Sequence, residues 1–485
     1  MNELHEYLVR CLASHREWII VSANGRSLAV SNSEIDLDFE RGRLLIGFPS
    51  DSGFQTWRVG GVEPGETDLR LALTRSTGLE STRIRLVPRT AFADLRWSVE
   101  LARLERANRI GALLRENLAA VRLVRVELNR ENGRFAQILF TERGLNRACI
   151  ADVTDTLTPE VLLSATCFWL LRLGRRKRNP VRSAAIVAEP RIAARLANLH
   201  ALLRSDWKDR IDLYETDPDL GIRPVRTLEI EELWGGPVSN IRQAPRAEVS
   251  ETARRLIALE PAAIDSVFTR HGETVRFHGL PFARIRTLLG VERGWFGTER
   301  PLRPLTQGRL HQLAALVDEF RAYRIHGSPN RRHVLYDSAP EAWLESILRR
   351  DIRRLDANLI LSPVYHQFRA ERDKIDLLAL RRDGRLVIIE LKVEPDREMI
   401  LQTVDYWRKI ERLRRSGRLG EARLFGDLAI ADAPAVCYLV APTLAFHRDF
   451  DFSASLVSPE IEIHRFNLAE DWRRKLRVLE RRKVV

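Results

Sequence analysis

Asp376, Glu390 and Lys392, followed by Gln402 and Tyr406, are the residues of this 485-residue chain whose types and order are suited to chemistry. They read as an acid, then Glu-x-Lys, then Gln-x-x-x-Tyr. A hard divalent cation takes carboxylate, carbonyl and water oxygens. Asp376 and Glu390, with the backbone carbonyl of Leu391, are therefore candidate metal ligands. Lys392 can orient an attacking water and stabilise negative charge developing on a phosphate. Gln402 and Tyr406, at i and i+4 of a helix, face the same way and can hold a phosphate or a metal-bound water. The chemistry such a set suits is hydrolysis of a phosphodiester.

The elements that must position these residues follow from local pattern. Two apolar runs, 374–381 and 385–393, flank Arg382-Asp383-Gly384, a three-residue hairpin loop with Gly in the left-handed position. In that register residue 381 faces 385, which brings Asp376 opposite Glu390 on one face of the sheet. Glu390 and Lys392 share that face, and Leu391 points away. Three charged groups among apolar strands are expensive unless a cation compensates them. Lysine itself is informative, because only 7 of the 79 Lys and Arg residues are Lys. A compact ammonium at 392 does different work from a planar guanidinium. A simple hairpin salt bridge would more readily have used Arg.

These residues resemble the motifs of the PD-(D/E)XK, or restriction-endonuclease-like, nuclease superfamily. Ile375-Asp376, Ile389-Glu390-Leu391-Lys392 and Gln402-x-x-x-Tyr406 carry the resemblance, which runs from about 338 to 470. The Gln-x-x-x-Tyr addition is similar to that of its RecB-type and archaeal mismatch-nuclease branches. The resemblance implies a Mg²⁺- or Mn²⁺-dependent endonuclease-like hydrolase acting on nucleic acid, with DNA favoured over RNA. It also implies an acid on the helix before the first core strand. Glu341 is the first choice and Glu345, one turn later, the alternative. Which nucleic acid is cut, single- or double-stranded, at an end or in the interior, is not fixed by the resemblance, since one fold serves many substrates.

A second pattern is internal. Residues 134–144 and 147–153 resemble 374–384 and 386–392, and a helix after Pro159 carries Ser164 where the later helix carries Gln402. Ala184–Pro190 matches Val436–Pro442, and Ile211–Glu215 matches Ile461–Arg465. In the first copy Ala136, Ala151, Val153 and Ser164 replace Asp376, Glu390, Lys392 and Gln402. An internal duplication is expected, with a first copy that kept the fold and lost the metal site.

The fold class expected is α/β. It comprises a mixed-sheet restriction-endonuclease-like C-terminal domain (336–485), a degenerate copy of the same fold (91–218), and additional α+β segments. Residues 1–90 read as a β-rich region, and 219–335 as a linker and small α+β domain. In the latter a helix is expected near 250–258, strands near 274–278 and 282–286, and a helix over 309–323. Trp57 is a candidate for base stacking or for strand packing. The tail 472–483 reads as a basic helix, and Arg172–Pro180 as a basic loop. His326 and His333 are isolated and make a poor metal pair.

Net charge of +13 favours a polyanionic partner. A homodimer is compatible with two nuclease-like folds, and so is a helicase or other protein partner, because no G-x-x-x-x-G-K-[ST] loop supplies a motor. No zinc-finger, deaminase or G-x-S-x-G acyl-transfer pattern is present. Four scattered cysteines, and no basic-then-apolar leader, point to the reducing cytoplasm. The apolar run Val161–Leu171 is too short to cross a bilayer, so no membrane partner is expected. The function class kept beside the enzyme is a non-cleaving nucleic-acid-binding protein built on a nuclease fold.

Overall fold

The computed structural model describes residues 2–22, 27–40, 43–49, 55–65, 68–74, 81–89, 92–154, 156–217, 221–235, 248–269, 272–288, 291–298, 302–361, 369–370 and 373–485. The chain is mixed α/β and divides into two compact units, Met1–Ala194 with Arg210–Val225, and Arg195–Asp209 with Arg226–Val485.

In the first unit, alternating sequence builds a seven-stranded antiparallel sheet between Glu17–Ser22 and Ser81–Pro88. Leu69, Leu71 and Leu73 are buried on one face while Arg70 and Ala72 point out, as a half-covered sheet requires. The helix Asn2–Ala13 covers that face with Leu8 and Leu12. Trp57 is buried in the same core, so it is a packed strand residue.

The unit's other sheet has six strands. Val121–Leu128, Phe135–Glu142 and Leu145–Asp152 form an antiparallel meander. Ser183–Ala188 and Ile211–Asp217 follow in parallel, and Gly221–Pro224 closes the edge antiparallel. The crossover helix Pro159–Gly174 starts where Thr158 caps it, with Pro at the first turn. Gly221–Pro224 lies within the stretch read as linker; 236–247 of that stretch lie outside the described residues.

In the second unit, Ile264–Thr269, Gly272–Phe277, Leu280–Leu288, Val291–Phe296 and Arg303–Pro304 form an antiparallel meander. The helices Glu251–Leu259 and Leu310–Tyr323 bury Leu256, Leu313, Val317 and Phe320 against it. Buried Arg324 ties this sheet to the next helix, Pro340–Arg350. Its guanidinium donates to the carbonyls of Phe277 (3.0 Å), His278 (2.8 Å), Leu335 (2.6 Å) and Ser338 (2.7 Å). Gly279 permits the close approach. At φ +78° a Cβ there would lie 1.9 Å from the Ala342 carbonyl oxygen.

The last sheet also has six strands: Leu359–Leu361, Leu377–Arg381, Leu386–Leu391, Val436–Pro442, Ile463–Leu468 and Val478–Lys483. Its neighbours run antiparallel, antiparallel, parallel, parallel, antiparallel. This is the order and direction of the first unit's six-stranded sheet. The pairing of the third and fourth strands agrees, since Ala151 pairs with Val187 and Glu390 with Leu439, the position matched to Val187. The following strand departs by one residue. Val187 pairs with Tyr214 and Leu439 with Arg465, whereas the sequence match set Tyr214 beside His464. The tail is a strand rather than the expected helix. Val478–Lys483 pairs with Ile463–Leu468, because an open sheet edge offers its backbone more partners than an isolated basic helix has.

Candidate active site

The hairpin forms in the expected register. Leu377 pairs with Ile389 and Leu380 with Leu386, and Gly384 sits at φ +84° in the turn. The first strand is shorter than expected, starting at Leu377, while Asp373–Lys374 pairs with Arg369–Ala370 in a separate ribbon. Asp376 itself supplies the reason. Its carboxylate accepts the Leu391 backbone amide at 3.0 Å, taking the place of a backbone partner and ending the ladder.

Leu386–Leu391 and Val436–Pro442 are buried throughout, as central parallel strands covered on both faces are. Glu390 is the one charged residue in these two strands and is itself buried. Its Oε1 lies 3.2 Å from Lys392 Nζ. Its Oε2 is buried without a hydrogen-bond partner. Burial above all, then the negative charge of Asp376, pushes the Glu390 carboxyl well above the usual range, against the pull of Lys392 and with a further push from Glu341.

Lys392 stands at the strand's end, its amide donating to the Val440 carbonyl at 3.1 Å. Its ammonium is shared between Glu390 and Asp396, each at 3.2 Å. Burial alone would lower its pKa, but Glu390, Asp396 and Glu341 more than reverse that, so Lys392 stays charged.

The helix Pro340–Arg350 separates the two candidate acids. Glu345 is buried between Arg349 (2.9 Å) and Arg276 (3.4 Å), a structural role facing the neighbouring sheet. Glu341, half-buried in the helix's first turn, feels burial first, then Lys392 and Asp376, and its carboxyl is raised. Glu341, Asp376, Glu390 and Lys392 thus come within one electrostatic neighbourhood. Gln402 and Tyr406 stand one turn apart and half-buried on Met399–Arg415. That helix packs on both central strands and is fixed by the Trp407 indole, which donates to the Ala435 carbonyl at 2.9 Å.

Two acids were missed by the sequence reading. Asp396 grips Lys392 and accepts the Glu398 amide at 2.7 Å. Burial first, then Asp396, pushes the Glu398 carboxyl up to about 7. The acidic run Glu394-Pro395-Asp396-Arg397-Glu398 before the helix was the available signal. His333, one of the two isolated histidines, is structural; its ring stacks on Tyr323 at 3.8 Å and its Nδ1 accepts the Leu335 amide.

Among the described residues no three His, Cys, Asp or Glu side chains form a ready metal cluster. The donor chemistry nevertheless suits a hard cation. Glu390 Oε2 lacks a partner, two more carboxylates act on it, and one ammonium serves them. The Leu391 amide points at Asp376, and in an extended strand a residue's carbonyl shares the edge of its amide. No protein-family model matches the chain, and no curated protein matches it.

Proposed function

We propose that the chain is a metal-dependent nuclease that hydrolyses phosphodiester bonds in nucleic acid, with DNA the preferred substrate. The observation that carries this reading is the buried Glu390 carboxylate, short of a partner at Oε2 and crowded by Asp376 and Glu341. A buried, incompletely paired carboxylate is costly to fold around, and a cation-binding role explains why it is there.

Asp376 and Glu390, with the Leu391 carbonyl, would hold Mg²⁺ or Mn²⁺, which when bound supplies Lewis acidity and an acidified water. Lys392 keeps its proton and places a fixed positive charge beside the phosphate, where negative charge grows during hydrolysis. Asp396 positions that ammonium through its ion pair at 3.2 Å. Glu341 is a half-buried acid in the same electrostatic neighbourhood. Gln402 and Tyr406 would orient a phosphate from the adjacent helix.

The shared strand order of the two six-stranded sheets supports the finer fold reading, a restriction-endonuclease-like domain with a duplicated, decayed first copy. In that copy Ala136, Ala151 and Val153 are buried core residues, so the charged set has become apolar packing. The +13 charge supports a nucleic-acid partner. A homodimer, and a helicase or other partner where strands must be separated, belong to the same proposal. All four cysteines are free, which suits a cytoplasmic setting. Among the described residues no helix is long and apolar enough to cross a membrane.

A second reading is a non-cleaving nucleic-acid-binding protein on a nuclease fold, which the net charge of +13 suits equally. Cleavage of labelled linear and circular DNA and of RNA, with Mg²⁺, Mn²⁺ or chelator, separates the two. Metal-dependent cutting that Lys392→Ala abolishes supports the nuclease. Binding without cutting, unchanged by that substitution, supports the binder.

A further inference from the structure

The basic run after the helix Pro159–Gly174 has no part in the chemistry proposed above. It joins that helix to the strand Ser183–Ala188 and reads Arg175-Arg176-Lys177-Arg178-Asn179-Pro180-Val181-Arg182, with no acid between 172 and 182. Its backbone is anchored at both ends. The Leu173 carbonyl accepts the amides of Arg176 at 3.2 Å and Val181 at 3.5 Å, and Leu173 and Val181 are both buried. Between these anchors Arg175, Arg176, Lys177 and Arg178 are exposed, and so is Arg182 just beyond them.

Among the described residues, none of these five cations has an ion pair, a side-chain hydrogen bond or a ring contact. Complementing the helix dipole accounts for Arg172 in the last turn and Arg175 at the cap. That effect falls off within a turn, and 176, 177, 178 and 182 lie past it. The last sheet supplies the contrast. Its crossover helix Met399–Arg415 also ends in arginines, but carboxylates answer them there. Arg414 meets Glu411 at 2.8 Å and Asp432 at 2.5 Å, and Arg415 meets Glu411 at 3.5 Å. Arg418, just after the helix, meets Glu421 at 2.8 Å. Adjacent like charges repel, so a run left without acids works against the fold that carries it.

We propose that loop 175–182 is a docking surface for the sugar-phosphate backbone of nucleic acid, adding affinity without reading bases. Charge complementarity selects this partner. Duplex DNA presents one negative charge per about 1.7 Å of its axis, a density that a run of adjacent cations matches, and guanidinium groups suit phosphate oxygens. An anionic lipid surface fits less well. With Leu173 and Val181 buried, Pro180 is the one exposed apolar side chain between 172 and 182, too little to insert beside headgroups. Choosing nucleic acid rests on the nuclease reading of the second unit; the polyanion-binding surface itself does not.

The test is anisotropy of a short fluorescein-labelled DNA duplex with the full chain in chelator, repeated over a range of salt. The loop variant carries Arg176→Ser, Lys177→Ser and Arg178→Ser, three exposed positions whose change spares the fold. A control variant removes the same charge from cations already paired with Glu251 and Glu421, by Arg254→Ser, Arg255→Ser and Arg418→Ser. The loop variant is expected to bind two unrelated sequences at least tenfold more weakly, with a salt slope smaller by about 2.7 for three lost phosphate contacts. The control is expected to keep most of the affinity. No loss in the loop variant, or an equal loss in the control, would overturn the docking surface. Duplex affinity left intact while the loop variant stops binding vesicles of equal parts phosphatidylcholine and phosphatidylserine would overturn it in favour of a membrane. Cleavage by the unsubstituted chain with Mg²⁺ or Mn²⁺ is scored separately. Loop-dependent binding without cutting would sink the nuclease reading alone, and metal-dependent cutting with undiminished loop-variant affinity would sink the docking surface alone.

Discussion

Lys392 Nζ lies 3.2 Å from Glu390 Oε1, while Glu390 Oε2, on the same buried carboxylate, has no hydrogen-bond partner. The ammonium thus meets one oxygen of the carboxylate and leaves the other without a partner, in a group that also feels the negative charge of Asp376 and Glu341. A structural salt bridge in a core would be expected to satisfy both oxygens, so the pair is poised toward something that arrives later.

Lys392→Ala is expected to lower the rate of metal-dependent DNA cleavage by about 10²-fold or more, the scale of losing one preorganised charge at a developing oxyanion. Oligonucleotide affinity in chelator should change little. The check is cleavage of labelled DNA under single-turnover conditions beside anisotropy; undiminished cutting would remove Lys392 from the chemistry.

Cation binding should release protons. The carboxyl of Glu390 is raised by burial and by Asp376, and a bound cation requires the carboxylate, so proton and cation compete for this residue. The sign for stability follows. An acid whose folded pKa lies above its unfolded value disfavours the folded state as pH rises through that window. Titration calorimetry with Mn²⁺ in buffers of different ionisation enthalpy should show proton release that grows as the pH is lowered. Glu390→Gln should abolish it and leave the metal-free melting temperature unchanged or higher.

Glu341→Gln and Glu345→Gln should fail in opposite ways. The first removes an acid near Lys392 and is expected to reduce cleavage with little effect on melting. The second leaves Arg349 and Arg276 short of a buried partner and should cost about 3 kcal/mol of stability. Thermal melting beside cleavage distinguishes them, and a cleavage defect confined to Glu345→Gln would reverse the assignment.

His278 should make the second unit acid-sensitive. Burial, then Arg350 and Arg324, lower its pKa to about 3, and its ring stacks on Trp343 at 4.9 Å. The unfolded chain takes up this proton first, so the stability from neutral His278 is present above about pH 6.5 and is lost as pH falls toward 3. Between pH 7 and 5.5 the loss is about 1 kcal/mol. His278→Asn keeps a residue tolerant of the backbone φ of +43° and should flatten this dependence in melting experiments. Glu398, raised to about 7, acts in the opposite direction in both proteins, so the difference between them isolates His278.

Short-range chemistry made the central hairpin legible. Arg382-Asp383-Gly384 admits one register, and that register carries Asp376 to Glu390; the period of two then sets Lys392 on the same face. The doubled strand pattern was readable for the same reason, since alternation and turn residues are local, and the two mixed sheets agree in order and direction. Tertiary structure decided the rest. Glu345 has a local partner in Arg349, one turn on, but its burial against the neighbouring sheet is decided by Arg276, 69 residues before it in the chain. The tail became a strand because a sheet edge was waiting for it. Asp396 became a partner of Lys392 because the chain bends before its helix. Sequence alone determines what neighbours along the chain can do; which charges end up sharing a low-dielectric site depends on contacts between distant segments, which no local pattern contains.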